Sequence, residues 1–289
     1  MELYIDKVAL DKLNIDFLNE NLAIGQMKLL DILQSYDELY FFTNQNFENE
    51  QFEEYKSVNL LFNKIIEKAI LRSVESIESF TNESTFEQTI VIEKSENHIN
   101  RNLIESKGGL YFIYETYSEK IEELCFHYTK KIDLDGTFGG WQKILNKTLL
   151  KVNEIIVNDN YLINDFKYIN ESVLPLLKSV KKQFSINRIV IITDYLNQSN
   201  YQKDSKLEIL KTELKTSFIN IFHKNFRGFS NHDRILYTNF FIIDCPIGFS
   251  QVYKTSNSVI YIETIFDKFT YNRRRRHLKE LNFFIDQNS

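Results

Sequence analysis

Apolar positions recur every three or four residues from Phe52 to Phe80, through Leu60, Leu61, Ile65, Ile66, Ala69, Ile70, Val74 and Ile77. That spacing predicts the strongest helix of the first half. Gln26 to Tyr36 has the same helical spacing, while Glu38 to Thr43 and Thr89 to Glu93 are short runs of strand type. Gly108 and Gly109 mark a turn, Leu110 to Tyr117 fits strand or helix, and Gly136, Gly139 and Gly140 make a glycine-bearing loop before Trp141. The expectation for residues 1–150 is therefore an irregular α+β region.

Beyond Leu150 the pattern is more regular. Glu154 to Ile163 is an apolar run ending in polar residues, followed by a helical stretch from Glu171 to Phe184. Arg188 to Thr193 is almost wholly β-branched, as expected of a strand buried on both faces. A helix over Lys206 to Ser217 leads to a strand at Phe218 to Phe222. Two further strand-like runs, Arg234 to Ile243 and Ser258 to Ile265, follow. Strand–helix–strand–helix–strand predicts right-handed crossovers and parallel pairing, extended antiparallel by the last two strands. The reading is an α/β protein with a domain boundary near residue 150 and a second domain over 151–289 that ends in a basic helix.

Composition narrows the class. Of 289 residues 43% are hydrophobic, enough for a sizeable core, and two prolines and eight glycines argue against a disordered or fibrous chain. A net charge of −5 leaves room for a local basic patch. Cys125 and Cys245 make no disulfide framework and are expected reduced and buried. The first residues lack the basic-then-apolar order of a signal peptide, and no apolar run approaches the roughly 18 residues of a membrane span. The expectation is a cytoplasmic protein. The five histidines are scattered and lack ligand spacing, and no phosphate-binding glycine fingerprint is present. No metal or cofactor is expected.

The chemistry concentrates at His232-Asp233-Arg234. In a strand, residues two apart share a face, so His232 and Arg234 point the same way. A histidine beside a fixed cation suits a phosphate: arginine neutralises the oxygens, and imidazole donates a hydrogen bond or attacks phosphorus. Asp159 and Asp194 follow strands and are expected near the same edge, either to orient His232 or as ordinary turn residues. An internal ion pair of Arg234 or His232 with Asp159, Asp194 or Asp233 is the structural alternative. Arg273, Arg274, Arg275 and Arg276, ahead of His277 and Lys279, form the densest basic run, of the kind that binds nucleic acid or else forms a solvated helix face.

His232-x-Arg234, four residues, Asn239, then Gly248 and Ser250 resembles the His-x-Lys, four residues, Asp, Gly-Ser signature of the phospholipase D-like superfamily, over roughly residues 150–270. It is most similar to a divergent branch in which the fold is kept and anionic groups are bound. The resemblance implies a mixed sheet flanked by helices, with His232 as nucleophile in active members, Arg234 in the place of the phosphate-binding lysine, and Asn239 in the place of an aspartate. Arginine still grips a phosphate, while asparagine carries no charge. The implied function is recognition of a phosphate polymer, nucleic acid above all, by His232, Arg234, Ser250 and the four arginines, in a setting such as anti-phage defence. A metal-independent homodimeric phosphodiesterase or nuclease that pairs two His232 side chains is the enzymatic alternative, and a protein-interaction subunit is the third. A protein partner or homodimer is expected in each case.

Overall fold

The structure is a computed structural model that describes residues 1–19, 21–44, 49–134, 140–145, 152–163, 166–181, 188–193, 200–215, 219–223, 234–249, 252 and 258–288. The chain divides into two compact units, Met1–Phe126 with Phe266–Asn272, and His127–Ile265 with Arg273–Ser289. The division falls ahead of residue 150 because Lys130–Leu134 is a strand of the second sheet.

Unit 1 departs from the expected irregular α+β region. It runs β1 (Glu2–Ile5), α1 (Lys7–Phe17), α2 (Ile24–Ser35), β2 (Tyr40–Thr43), α3 (Asn49–Val58), α4 (Leu60–Ile66), β3 (Ile70–Ser73), α5 (Ile77–Glu83), β4 (Thr89–Glu93), α6 (His98–Ser106), β5 (Leu110–Ile113) and α7 (Tyr117–Tyr128). The five strands are all parallel in the order β3-β2-β1-β4-β5, so helices carry each crossover. The single helix expected from Phe52 to Phe80 is three helices and a strand. The Asn59 side chain accepts from Phe62 N and starts α4, Ile70–Ser73 pairs with β2, and the Ser76 hydroxyl accepts from Ser79 N and starts α5. Apolar spacing carries across these breaks although the pieces pack differently: Phe62 of α4 meets Phe41 and Phe80 of α5 meets Phe42, neighbours that alternate across the sheet.

One carboxylate ties the start of this sheet. Glu2 is almost wholly buried, and its oxygens accept from Ser84 Oγ at 2.6 Å, Thr89 Oγ1 at 2.7 Å, Thr85 N at 2.8 Å and Phe86 N at 3.2 Å. Burial opposes the charge, but these donors outweigh it and hold Glu2 below the usual carboxylate range. They also fix the turn between α5 and β4, where Phe86 takes a positive φ of 56°.

Unit 2 contains β6 (Lys130–Leu134), α8 (Trp141–Ile144), β7 (Glu154–Asn158), α9 (Phe166–Tyr168), a π turn over Ile169–Val173 leading into α10 (Leu174–Lys181), β8 (Arg188–Thr193), α11 (Asn200–Leu214), β9 (Ile219–His223), β10 (Ile235–Thr238), β11 (Phe241–Asp244), β12 (Ser258–Thr264) and α12 (Lys268–Asn288), whose first residues are counted with unit 1. The sheet order is β6-β12-β11-β10-β7-β8-β9. Strands β7, β8 and β9 are parallel, and β10, β11, β12 and β6 extend the sheet antiparallel. This is the expected mixed sheet with helices.

The run from Arg234 to Ile243, expected as one strand, is a hairpin. Thr238 Oγ1 accepts from Phe240 N and Phe241 N and donates to Phe241 O, closing a turn around Asn239 and Phe240. Ile156, Val190, Ile192, Ile235, Tyr237 and Ile242 form one apolar face that packs with Leu278 of α12.

Glu2→Gln is expected to lower stability by about 1–3 kcal/mol, because an amide NH2 then faces hydroxyl and backbone donors. Glu2's folded pKa is depressed, so its stabilisation is present above the unfolded value and is lost as pH falls through the folded one. Urea unfolding across the acid range therefore shows the gap between wild type and variant closing as pH drops.

Candidate functional site at the carboxyl edge of the second sheet

Parallel strands β7, β8 and β9 end on one edge of the sheet. Antiparallel β10 begins there, since Ile235 lies opposite Asn158. Loops at such an edge form the usual binding crevice of an open α/β sheet. Arg234 immediately precedes β10, and its carbonyl accepts from Cys245 N at 2.9 Å, which continues the ladder. Ladder parity then sets Arg234, Asp159 and Cys245 on the face opposite Asn158 and Ile235.

Arg234 is half-buried. Its Nη1 donates to Pro246 O, and its guanidinium carbon lies 5.8 Å from the centre of the Tyr161 ring. Its Nε is buried without a hydrogen-bond partner among the described residues, and no described carboxylate lies within ion-pairing distance of it. The wholly buried Asn158 side chain, at the same edge, likewise has neither amide atom paired among the described residues. Buried unpaired polar atoms are uncommon and costly, and they concentrate where a ligand or water completes a site.

Asp159 is wholly buried. Its Oδ1 accepts from Tyr161 N and its Oδ2 from Phe249 N, each at 2.9 Å. It therefore shapes two turns, which is the ordinary turn role weighed from the sequence. Gly248 lies between these side chains with φ +88°; a Cβ there would stand 3.2 Å from Arg234 Cδ and 3.3 Å from Asp159 Oδ2. Only glycine suits both the backbone and the space. Burial, reinforced by the Asp159 and Asp244 charges, pushes the Cys245 thiol up, so it stays protonated and is no nucleophile.

Other sequence candidates fall elsewhere. Asn239 sits at the far end of β10 from Arg234, five residues or roughly 16 Å along the strand. Its Oδ1 accepts from Asn153 N at 3.0 Å and Glu154 N at 3.2 Å, and its Nδ2 donates to Asn153 Oδ1. That clamps the entry to β7 and makes Asn239 structural. The arginine run is corrected in part. Arg273 binds Asp244 and Glu263, whose charges keep it protonated against its burial, and Arg274 is 4% exposed with Nε donating to Thr238 O at 2.6 Å. Neither offers its charge to a polyanion. Arg275 is half-buried and Arg276 exposed. His277 Nδ1 is 2.7 Å from Tyr237 OH, and Trp141 is a buried anchor against Phe249. His232, Asp233, Asp194 and Ser250 lie outside the described residues.

Two aromatic residues at this edge were not among the site residues expected from the sequence. Tyr161, 50% exposed, and Phe166, 41% exposed, follow β7. Phe166 lies under Lys206, a lysine only 3% exposed whose Nζ donates to Ile163 O at 2.6 Å and stands 5.3 Å from the ring centre. The available signal was a tyrosine directly after the Asp159-Asn160 pair.

In unit 1 the strand order reverses between β1 and β4, and a cavity of about 470 Å³ opens there beside Asp6, Glu93, Glu96, Asn97 and His98. Its carboxylates are already engaged: Asp6 caps α1 through Ala9 N, and Glu93 accepts from Tyr111 OH and Asn100 Nδ2. Among the described residues, no group of His, Cys, Asp and Glu is arranged to hold a metal ion, and no helix is long and apolar enough to cross a membrane. No family model matches the chain, and a search of curated proteins finds no match.

Asn239→Asp, which brings the residue closer to the phospholipase D-like pattern, is expected to destabilise the protein by about 1–3 kcal/mol at neutral pH. The change removes the Nδ2 donor and places a buried charge against Asn153 Oδ1. Such an aspartate has a raised folded pKa, so the deficit shrinks as pH falls below it and the acid again donates. Thermal melts of both proteins from pH 4 to pH 8 measure this.

Proposed function

We propose that unit 2 recognises the phosphates of a nucleic acid at the carboxyl edge of its sheet, in the manner of a degenerate phospholipase D-like domain. The observation that carries this reading is the state of Arg234. Arg273 has two carboxylates in ion-pairing contact, whereas Arg234 has none among the described residues: the Asp159 carboxylate across Gly248 is engaged by Tyr161 N and Phe249 N, and Arg234 Nε is buried and unpartnered there. A half-buried cation is costly unless something neutralises it, and a phosphate oxygen does so with a charge-assisted bond. Nη1 on Pro246 O and the Tyr161 ring orient the guanidinium before any ligand arrives.

Recognition is favoured over turnover by Asn239. It stands at the wrong end of β10 to touch a group held by Arg234, and its amide is used up in the clamp on Asn153 and Glu154. No charge is available from it to tune a reacting histidine.

Fluorescence anisotropy with labelled oligonucleotides at several salt concentrations tests this. Arg234→Ala is expected to weaken binding about tenfold or more and to reduce the salt slope by about one. Arg234→Lys keeps the charge and recovers part of the affinity, because ammonium cannot bind bidentately. Arg273→Ala is expected to lower the melting temperature more than it lowers affinity per folded molecule. Affinity untouched by Arg234→Ala, in a variant that melts like wild type, would overturn the reading.

A further inference from the structure

We propose that the nucleic acid bound at this edge is single-stranded, and that its unstacked bases lie on Tyr161 and Phe166. This rests on the reading of Arg234 as a phosphate site and goes on to name the form of the ligand. Tyr161 and Phe166 lie within six residues of each other on the segment that leaves β7, and each keeps 40–50% of its surface open. Each ring has a cation against it, Arg234 at 5.8 Å and Lys206 at 5.3 Å. Exposed apolar side chains are common singly, but aromatic rings paired with cations at one sheet edge are the elements of a single-strand groove: charge for the backbone, π faces for the bases.

The platform is also held in place. Asp159 Oδ1 accepts from Tyr161 N, so the ring leaves the strand end through a closed turn. Lys206, almost fully buried, donates to Ile163 O, which anchors the chain between the two aromatic residues. A buried lysine is costly to keep, and here it serves the segment that presents both rings. In a duplex the base faces are already stacked on one another and do not reach such rings. An unpaired strand can turn its bases onto them while a phosphate meets Arg234.

Three labelled ligands of equal length separate the outcomes: oligo(dT), a hairpin duplex, and an abasic oligomer with the same phosphates and no bases. Wild type is expected to bind oligo(dT) about tenfold or more tighter than either of the others. The double variant Tyr161→Ala, Phe166→Ala should lose the preference, binding oligo(dT) no tighter than it binds the abasic oligomer. Tyr161→Trp should keep the affinity, with its new emission quenched by oligo(dT) and not by the abasic oligomer. Equal wild-type affinity for oligo(dT) and the abasic oligomer would overturn stacking and leave phosphate recognition by Arg234 standing. So would an unchanged oligo(dT) affinity in the double variant. Failure of wild type to bind any of the three defeats both readings, and a circular-dichroism melt of each variant shows that the comparison is between folded proteins.

Discussion

The register of β10 against β7 decides what the second unit can do. Ile235 opposite Asn158 and Tyr237 opposite Ile156 put Ile235, Tyr237 and Ile156 on the face that packs with Leu278. The same register turns Arg234 to the other face, beside Asp159 and Gly248. A slip of one residue would exchange the faces, taking Arg234 to the side that packs with Leu278, and Ile235 and Tyr237 to the side of Leu236. The core thus specifies the position of the cation. The hairpin turn at Thr238 to Phe241 and the Asn239 clamp on Asn153 and Glu154 pin that register from the opposite end of the strand.

Charge is handled in two ways across the molecule, and the contrast sets Arg234 apart. Glu2 has donors on both oxygens, and Arg273 has two carboxylates. These groups are buried or half-buried and compensated, as a stable fold requires. Arg234 has one carbonyl for a full charge and an Nε with nothing to bind among the described residues. The four-arginine run looked like the stronger electrostatic feature, yet a helix points successive residues around its circumference. Arg273 and Arg274 consequently turn inward, where local partners consume them.

Legibility in the sequence followed the physics of each element. β4 and β8 were readable to the residue, and β7 at its start though not at its end, which falls at Asn158 and not Ile163, because a buried parallel strand is a short β-branched run bounded by polar residues. The parallel sheet of unit 1 was not, because its strands β1, β2, β3 and β5 have four residues each and its helices interrupt one another at capping residues such as Asn59 and Ser76. Periodicity over a window of a dozen residues averages across such breaks. The hairpin of β10 and β11 was hidden for a related reason: Thr238 and Asn239 interrupt an apolar run without glycine or proline, and only their side-chain hydrogen bonds make the turn. Arg234 could be singled out from residue type and spacing. That no carboxylate among the described residues pairs with it, and that Tyr161 lies against it, depends on how the chain folds.

The carboxyl edge of unit 2 also shows why sites of this kind form where parallel and antiparallel strands meet. Parallel β7 sends its chain out over the edge, while antiparallel β10 brings a different segment in at the same point. Two stretches distant in sequence, Asp159 to Phe166 and Arg234 to Phe249, are thereby forced into contact through Asp159, Gly248 and Tyr161. Neither stretch needs the other for its own secondary structure, so both are free to carry polar and aromatic groups that a strand interior would reject. The orphaned atoms of Asn158 and Arg234 are the energetic trace of that freedom. On the proposed reading, the open Arg234 donor is the group whose missing partner an anionic ligand would supply.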